Sequence, residues 1–286
     1  MRLSRRALLK MAGGGAAAAA LGAGYAFGIE PVWLRTVEHE VALRGLDAAF
    51  DGYRIVQLSD LHVGAGVPEA HLRGAVERAN ALSPDLIVLT GDFVHHGGAP
   101  ALAEEVGNLL SALRAPDGIL GVEGNHDRGV YRASGRGTRN VALEGALLHA
   151  GVRMLANESA RVERAGGAHL AVAGFRDLWS GGFDPAAVDL NRLGPPAIAL
   201  SHNPDTAESL AAAGASLVLS GHTHGGQVSL PFLGPPLLPV QNRRFAAGPY
   251  DIGDTRLYVN RGVGWLRRVR LFVRPEVTLH LLRTVA

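Results

Sequence analysis

Cysteine is absent from the 286-residue chain, which excludes disulfides, thiolate metal sites and a cysteine nucleophile. Any metal must therefore be held by His, Asp, Glu or Asn. Lysine occurs once, at Lys10, so nearly all positive charge is arginine, which we read as compositional bias rather than as an array of phosphate clamps. Acidic residues are missing before Glu30, whereas Arg2, Arg5, Arg6 and Lys10 all precede it. The formal charge of +2 falls to −2 once these four are set aside, so the basic isoelectric point belongs to the N-terminal segment and not to a nucleic-acid footprint. Charged residues make up only 19% of the chain against 47% hydrophobic ones, which supplies a core and excludes disorder. Repeats, low-complexity tracts beyond the N-terminal segment and an internal domain boundary are all lacking.

The first ten residues carry the four positive charges, and Met11 to Ile29 follow without any charge. That order is the n-region and h-region of an export signal. Arg5-Arg6 within Ser4-Arg5-Arg6-Ala7-Leu8-Leu9-Lys10 resembles the twin-arginine motif, with Ala7 where phenylalanine is frequent. The twin-arginine export machinery is thus an expected partner, and the expected location is periplasmic, extracytoplasmic or membrane-anchored. An ordinary leader or a retained anchor stays open, since nineteen uncharged residues reach roughly 28 Å as a helix. The expected division is residues 1–29 as signal or anchor and 30–286 as one catalytic domain.

Beyond Pro31, short apolar runs alternate with helix-like stretches, the pattern of a layered α/β fold. Strands are expected at 54–58, 86–90, 119–122, 152–155, 169–173, 197–200 and 217–219. Helices are expected at 69–82, 100–113, 140–150 and 205–213. Runs 257–260, 269–273 and 277–282 read as closing antiparallel strands, 161–168 as a hairpin connection, and 181–196 as a loop-rich insertion. The stretch 230–249, with five prolines, reads as an irregular surface loop close to the site.

Five of the apolar runs end in polar residues able to bind a metal. Leu58 leads to Asp60-Leu61-His62, Leu89 to Gly91-Asp92, and Val122 to Gly124-Asn125-His126-Asp127. Leu200 leads to His202, and Leu219 to Gly221-His222-Thr223-His224. Ligands of open α/β sheets collect at the carboxyl ends of strands, so one edge would gather all these side chains. Carboxylate, imidazole and amide oxygen make a borderline-hard donor set suited to Mn, Fe, Zn or Co. Asp-x-His, Gly-Asp, Gly-Asn and His202 each read alone as a turn or a satisfied histidine, whereas Gly-His-Thr-His-Gly-Gly is the stronger signal, its two bracketed histidines having no packing purpose; the joint occurrence at successive strand ends points to a metal centre. Gly221, Gly225 and Gly226 allow a backbone turn that sends His222 and His224 to different ions.

In this order the motifs resemble the calcineurin-like metallophosphoesterase family: Asp-x-His, Gly-Asp, Gly-Asn-His-Asp, His and Gly-His-x-His, spanning Asp60 to His224. The stretch 29–64 and Arg274-Pro275-Glu276-Val277 look like its exported, lipid-associated bacterial branch of the YkuE and YaeI type. The resemblance implies a four-layer α/β/β/α sandwich and two divalent metal ions. One ion would be held by Asp60, His62, Asp92 and His224, the other by Asp92, Asn125, His202 and His222, with Asp92 bridging. It also implies in-line attack by an activated water, so no side-chain nucleophile is needed. His126 would donate a proton to the leaving group and Asp127 would orient its ring. His95, His96, Asp177, Trp179, Arg176, Arg243 and Arg244 lie near these motifs without joining the expected site.

The expected substrate is a phosphodiester or pyrophosphate, lipid-linked and met at the membrane surface. The pyrophosphate of UDP-2,3-diacylglucosamine, used in lipid A synthesis, is one candidate. Because that precursor is cytoplasmic, a phospholipid or teichoic-acid diester suits an exported enzyme better. A noncatalytic metal-binding envelope protein and a nuclease are the competing readings. The intact motif set argues against the first, and export with a near-neutral mature charge against the second.

Overall fold

The computed structural model describes residues 5–97, 99–133 and 135–285. Met1 to Ser4, the start of the expected export signal, lie outside the described residues. Helix α1 (Arg5–Gly24) leads through a widened π-helical turn at Tyr25–Ile29 and a 3-10 turn at Glu30–Val32 into strand β1 (Arg35–Leu43). The chain continues with β2 (Arg54–Leu58), α2 (Glu69–Ala81), β3 (Leu86–Leu89), α3 (Pro100–Leu110), β4 (Ile119–Gly121), α4 (Val141–His149) and β5 (Val152–Met154). The second half holds β6 (Glu158–Glu163), β7 (His169–Gly174), α5 (Leu190–Leu193), β8 (Ala197–Leu200), α6 (Ala207–Ala212), β9 (Leu217–Ser220), β10 (Gly248–Ile252), β11 (Thr255–Val259) and β12 (Glu276–Thr284).

These strands make two six-stranded sheets, ordered β1-β12-β2-β3-β4-β5 and β10-β11-β9-β8-β7-β6. Strands β2 to β5 run parallel, as do β7, β8, β9 and β11. Parallel strands covered on both faces read as unbroken apolar runs, and alternate residues go to opposite sides. Ile55, Leu86, Val88 and Leu120 face the second sheet and pack on Leu170, Val172, Ile198, Leu200, Leu217 and Leu219. Val56, Leu58, Ile87, Leu89 and Ile119 turn the other way and bury Leu72, Val76, Val106 and Leu143 of α2, α3 and α4. Ala197, Ala199, Val218 and Leu257 cover the outer face of the second sheet with Leu190, Ala207 and Leu210 of α5 and α6. The result is the expected α/β/β/α sandwich.

Three local expectations need correction. Strand β1 was not anticipated, because its one exposed face gives it polar Thr36, Glu38 and Glu40, the composition of an edge strand. Residues 269–273 make no strand, and their β pairing among the described residues is the isolated bridge Val228↔Leu271. There Glu30 accepts the Phe272 and Val273 N–H groups, and Phe272 takes a left-handed φ of 58°, so a ladder is not available to this segment. Finally, Arg161 to Glu163 belong to β6, and only Arg164 to Ala168 connect the hairpin.

Helix α1 forms as the apolar composition leads one to expect, yet no helix among the described residues is long and apolar enough to cross a membrane.

Candidate metal centre

The side chains singled out at the strand ends meet at one edge of the sandwich, where the backbone leaves the strands abruptly. Asp60, His62, Asp92, His222 and His224 all have left-handed φ values, between 49° and 70°. A non-glycine residue held this way costs about 1–3 kcal/mol, and such strain persists only where the surroundings fix it. Here the loops fasten one another: Asp60 N donates to Gly91 O (2.9 Å), His62 N to Asp92 O (3.0 Å), and Gly264 N to Asp60 O (2.7 Å). Two glycines permit the close approach. A Cβ on Gly124 would collide with Oδ1 and the backbone N of Asp92, and one on Gly221 with Ser59 Oγ and Asp60 Oδ2.

The donors form two groups, each with its ligand atoms within 4.8 Å of one another: Asp60, His62 and His224, and Asp92, His202 and His222. In the first, His62 Nε2 lies 3.0 Å from His224 Nε2 and His224 Nε2 lies 3.3 Å from Asp60 Oδ1. In the second, His202 Nε2 is 3.2 Å from Asp92 Oδ2 and 3.2 Å from His222 Nδ1. Asp92 Oδ2 is also 3.5 Å from His62 Nε2, so this carboxylate stands between the groups. His222 and His224 therefore do turn to different groups.

Outer contacts fix the rings. His202 Nδ1 donates to Thr90 O (2.6 Å) and His222 Nε2 to Pro239 O (2.9 Å), which leaves the other nitrogen of each ring as a lone-pair donor toward the group. The 230–249 loop thus reaches the site through a carbonyl.

Asn125 sits beside them. Its Nδ2 donates to Val130 O (2.6 Å), while its Oδ1 is buried without a partner. His126 donates its backbone N–H to Asp92 Oδ1 (2.9 Å). Its ring is held not by Asp127, as expected, but by His95 O, 2.7 Å from Nδ1. Asp127 instead accepts the N–H groups of Asp92 (2.9 Å), Gly124 (2.8 Å) and Val94 (3.1 Å), pinning two ligand loops together.

Side chains that the motifs had left aside also converge. His95 stacks on His126 and places Nδ1 3.4 Å from His62 Nδ1. Trp179 sets its edge against His222 at 4.6 Å. Asp177 is buried with an unpartnered Oδ1. The adjacency of His95-His96 to Asp92 was the only sequence signal for the first of these.

Burial dominates the electrostatics. It pushes the Asp60 carboxyl up to about 6 against the opposing charge of His202. It holds His222 down to about 3, and His62 and His224 well below the imidazole range, so these rings stay neutral as metal ligands must. Burial also opposes the charges of Asp92 and His202, but their mutual attraction overrides it, lowering Asp92 and raising His202. Converging lone pairs, the orphaned Asn125 Oδ1 and an all-N/O donor set fit divalent cations of borderline hardness.

Residues 53–226 match the family model described as calcineurin-like phosphoesterase. The chain belongs to the calcineurin-like metallophosphoesterase family. Relatives align nearly end to end. The uncharacterized metallophosphoesterase YkuE of Bacillus subtilis is 36% identical over 99% of this chain and 99% of its own length. Phosphodiesterase YaeI of Escherichia coli is 35% identical over 97% of this chain and 98% of its own. The UDP-2,3-diacylglucosamine pyrophosphatase LpxG of Chlamydia muridarum is 30% identical over 88% of this chain and 90% of its own. The protein is thus a hydrolase of the metallophosphoesterase class, with two His/Asp groups able to hold metal.

Proposed function

We propose that this metallophosphoesterase uses two divalent ions to hydrolyse a phosphodiester or pyrophosphate bond in a lipid-linked substrate at the cell envelope. The observation carrying the proposal is the pair of buried donor groups divided by Asp92. Asp60, His62, Asp92 and His224 would hold one ion, and Asp92, Asn125, His202 and His222 the other. When bound, the ions supply Lewis acidity to the phosphoryl oxygens and activate the attacking water. The protein's own residues do the rest. With Nδ1 of His126 set against His95 O, Nε2 is the ring nitrogen left to pass a proton to the leaving oxygen. Asp127 positions the Asp92 and Gly124 backbones. The left-handed turns, fastened loop to loop, would fix the backbones of Asp60, His62, Asp92, His222 and His224.

The likeness to LpxG supports a lipid-linked pyrophosphate, while the basic, then uncharged N-terminus supports twin-arginine export of residues 30–286 and an external diester. Both share a phosphoryl group attached to a lipid, which is the class we assign.

The test is hydrolysis of bis-p-nitrophenyl phosphate by the full chain, stripped of metal and reloaded separately with Mn, Zn, Fe or Co, with metal counted per chain. Two ions bound and activity restored by metal but absent in Asp92→Asn are expected. One ion per chain at full activity would overturn the dinuclear assignment. Lipid-linked substrates are then compared with single-stranded DNA; a preference for DNA would move the assignment to a nuclease.

A further inference from the structure

We propose that the loop tip at 230–237 and the segment 266–272 form a docking surface for an anionic lipid bilayer. The proposal rests on the lipid-linked substrate assigned above and names the partner that would present it.

The apolar side chains on this surface stand out where folding alone gives them no purpose. Phe232 is fully exposed at 107%, Leu233 at 81%, Leu237 at 78% and Phe272 at 63%. Both phenylalanines have left-handed backbones, with φ of 66° in the turn closed by Leu230 and Gly234 and 58° where Glu30 accepts the Phe272 N–H, and both turns leave the ring exposed.

The pieces form one continuous surface. Leu230 and Gly234 close the loop tip on themselves, and Val228 bridges Leu271. Gln227 donates to the carbonyls of Arg267 and Val269, both at 2.7 Å. Arg270 N donates to Ala26 O, and Glu30 grips Phe272 and Val273. The uncharged N-terminal run therefore ends on this same surface, beside exposed Phe27 and Ile29.

Charge identifies the occupant. Segments 228–249 and 261–275 hold seven arginines and no acidic residue, although the chain beyond residue 28 is net negative; Arg270 is buried and Arg261 pairs with Glu276, so neither faces a partner. Arg243, Arg267 and Arg268 are exposed. Isolated apolar tips set among arginines suit the headgroup boundary of an anionic leaflet, where rings enter and guanidinium groups meet phosphates. Docking here also sets the depth of the site, since the loop that carries Phe232 continues to Pro239, whose carbonyl accepts from His222.

The absence of cysteine makes a direct test possible. Phe232→Cys, Phe272→Cys, Leu21→Cys and Leu148→Cys are made singly in the full chain and labelled with an environment-sensitive fluorophore. Thermal melting followed by circular dichroism verifies that each labelled chain is folded. Vesicles of phosphatidylethanolamine and phosphatidylglycerol, carrying a nitroxide on the acyl chain, are then added. Labels at 232 and 272 should shift to the blue and lose most of their emission to the quencher, the label at 148 should do neither, and salt at about 0.5 M should weaken the effect. Quenching at 21 alone would show that only the N-terminal helix meets the bilayer and would overturn the proposal. So would labels that never move, or a blue shift without lipid that grows with protein concentration, the sign of a second copy. Hydrolysis of a soluble diester needs no bilayer, so its loss and the loss of docking are separable.

Discussion

At the scale of single residues, His126 and Gly124 make the sharpest expectations. His126→Ala should keep both metals by elemental analysis and lower kcat by about 10²–10⁴, the usual contribution of a general acid. Loss of metal instead would make His126 part of the ion-holding set. Gly124→Ala adds a single methyl group, yet it points at Asp92, so metal affinity and activity should fall together while the far-UV spectrum is kept. Which residues would converge at this edge was legible in the sequence, because each sits at the end of an apolar run. How they are held was not. Thr90, His95 and Pro239 act through main-chain carbonyls, which any residue type would provide. Asp127 lies beside these residues, but its partners are backbone N–H groups rather than the expected ring.

At the scale of elements, helices α2 to α4 and the central strands follow the sequence within a few residues, since burial on one or both faces imposes a period. Where polar side chains replace that period the reading fails, as in β1 and around Arg270. Strand β1 also carries a titratable contact into the sandwich. His39 and His280 face each other across the β1–β12 register with Nδ1 atoms 3.2 Å apart, and His280 Nε2 donates to Gln57 Oε1. Gln57 in turn donates to Ser220 O of the second sheet. Burial lowers both imidazoles, His280 most. Between the folded and unfolded values the unfolded chain binds more protons, so this stability is complete above about pH 6.5 and drains away as pH falls below it. Urea midpoints of the metal-loaded protein should therefore decline from pH 7.5 to pH 5. His280→Met should flatten part of that decline while lowering stability at pH 7.5, because Gln57 loses its donor.

For the whole molecule, the donors divide between the sheets. Asp60, His62, Asp92 and Asn125 come from the first, and His202, His222 and His224 from the second, and each donor group draws on both. Bound cations would clamp the sandwich together at this edge. A metal at about 100 times its Kd adds roughly 2.7 kcal/mol, so differential scanning calorimetry should show a Tm that rises with free metal and returns with chelator. In Asp92→Asn that dependence should shrink for both ions. The layered class was legible from alternating apolar runs, but the strand order was not, because β12 enters between β1 and β2 from the far end of the sequence.

That insertion makes the two halves of the chain obligate complements. A break between β5 and β6 would leave the first fragment with β1 and β2 but without the strand that pairs with both, and the second with that strand but no place to lodge it. Neither fragment could carry a complete metal site, or recruit metal, by itself. Co-expressed, they should recover structure and hydrolysis in the same step, which makes residues 155–157 a natural place to split the enzyme into a two-part reporter of proximity.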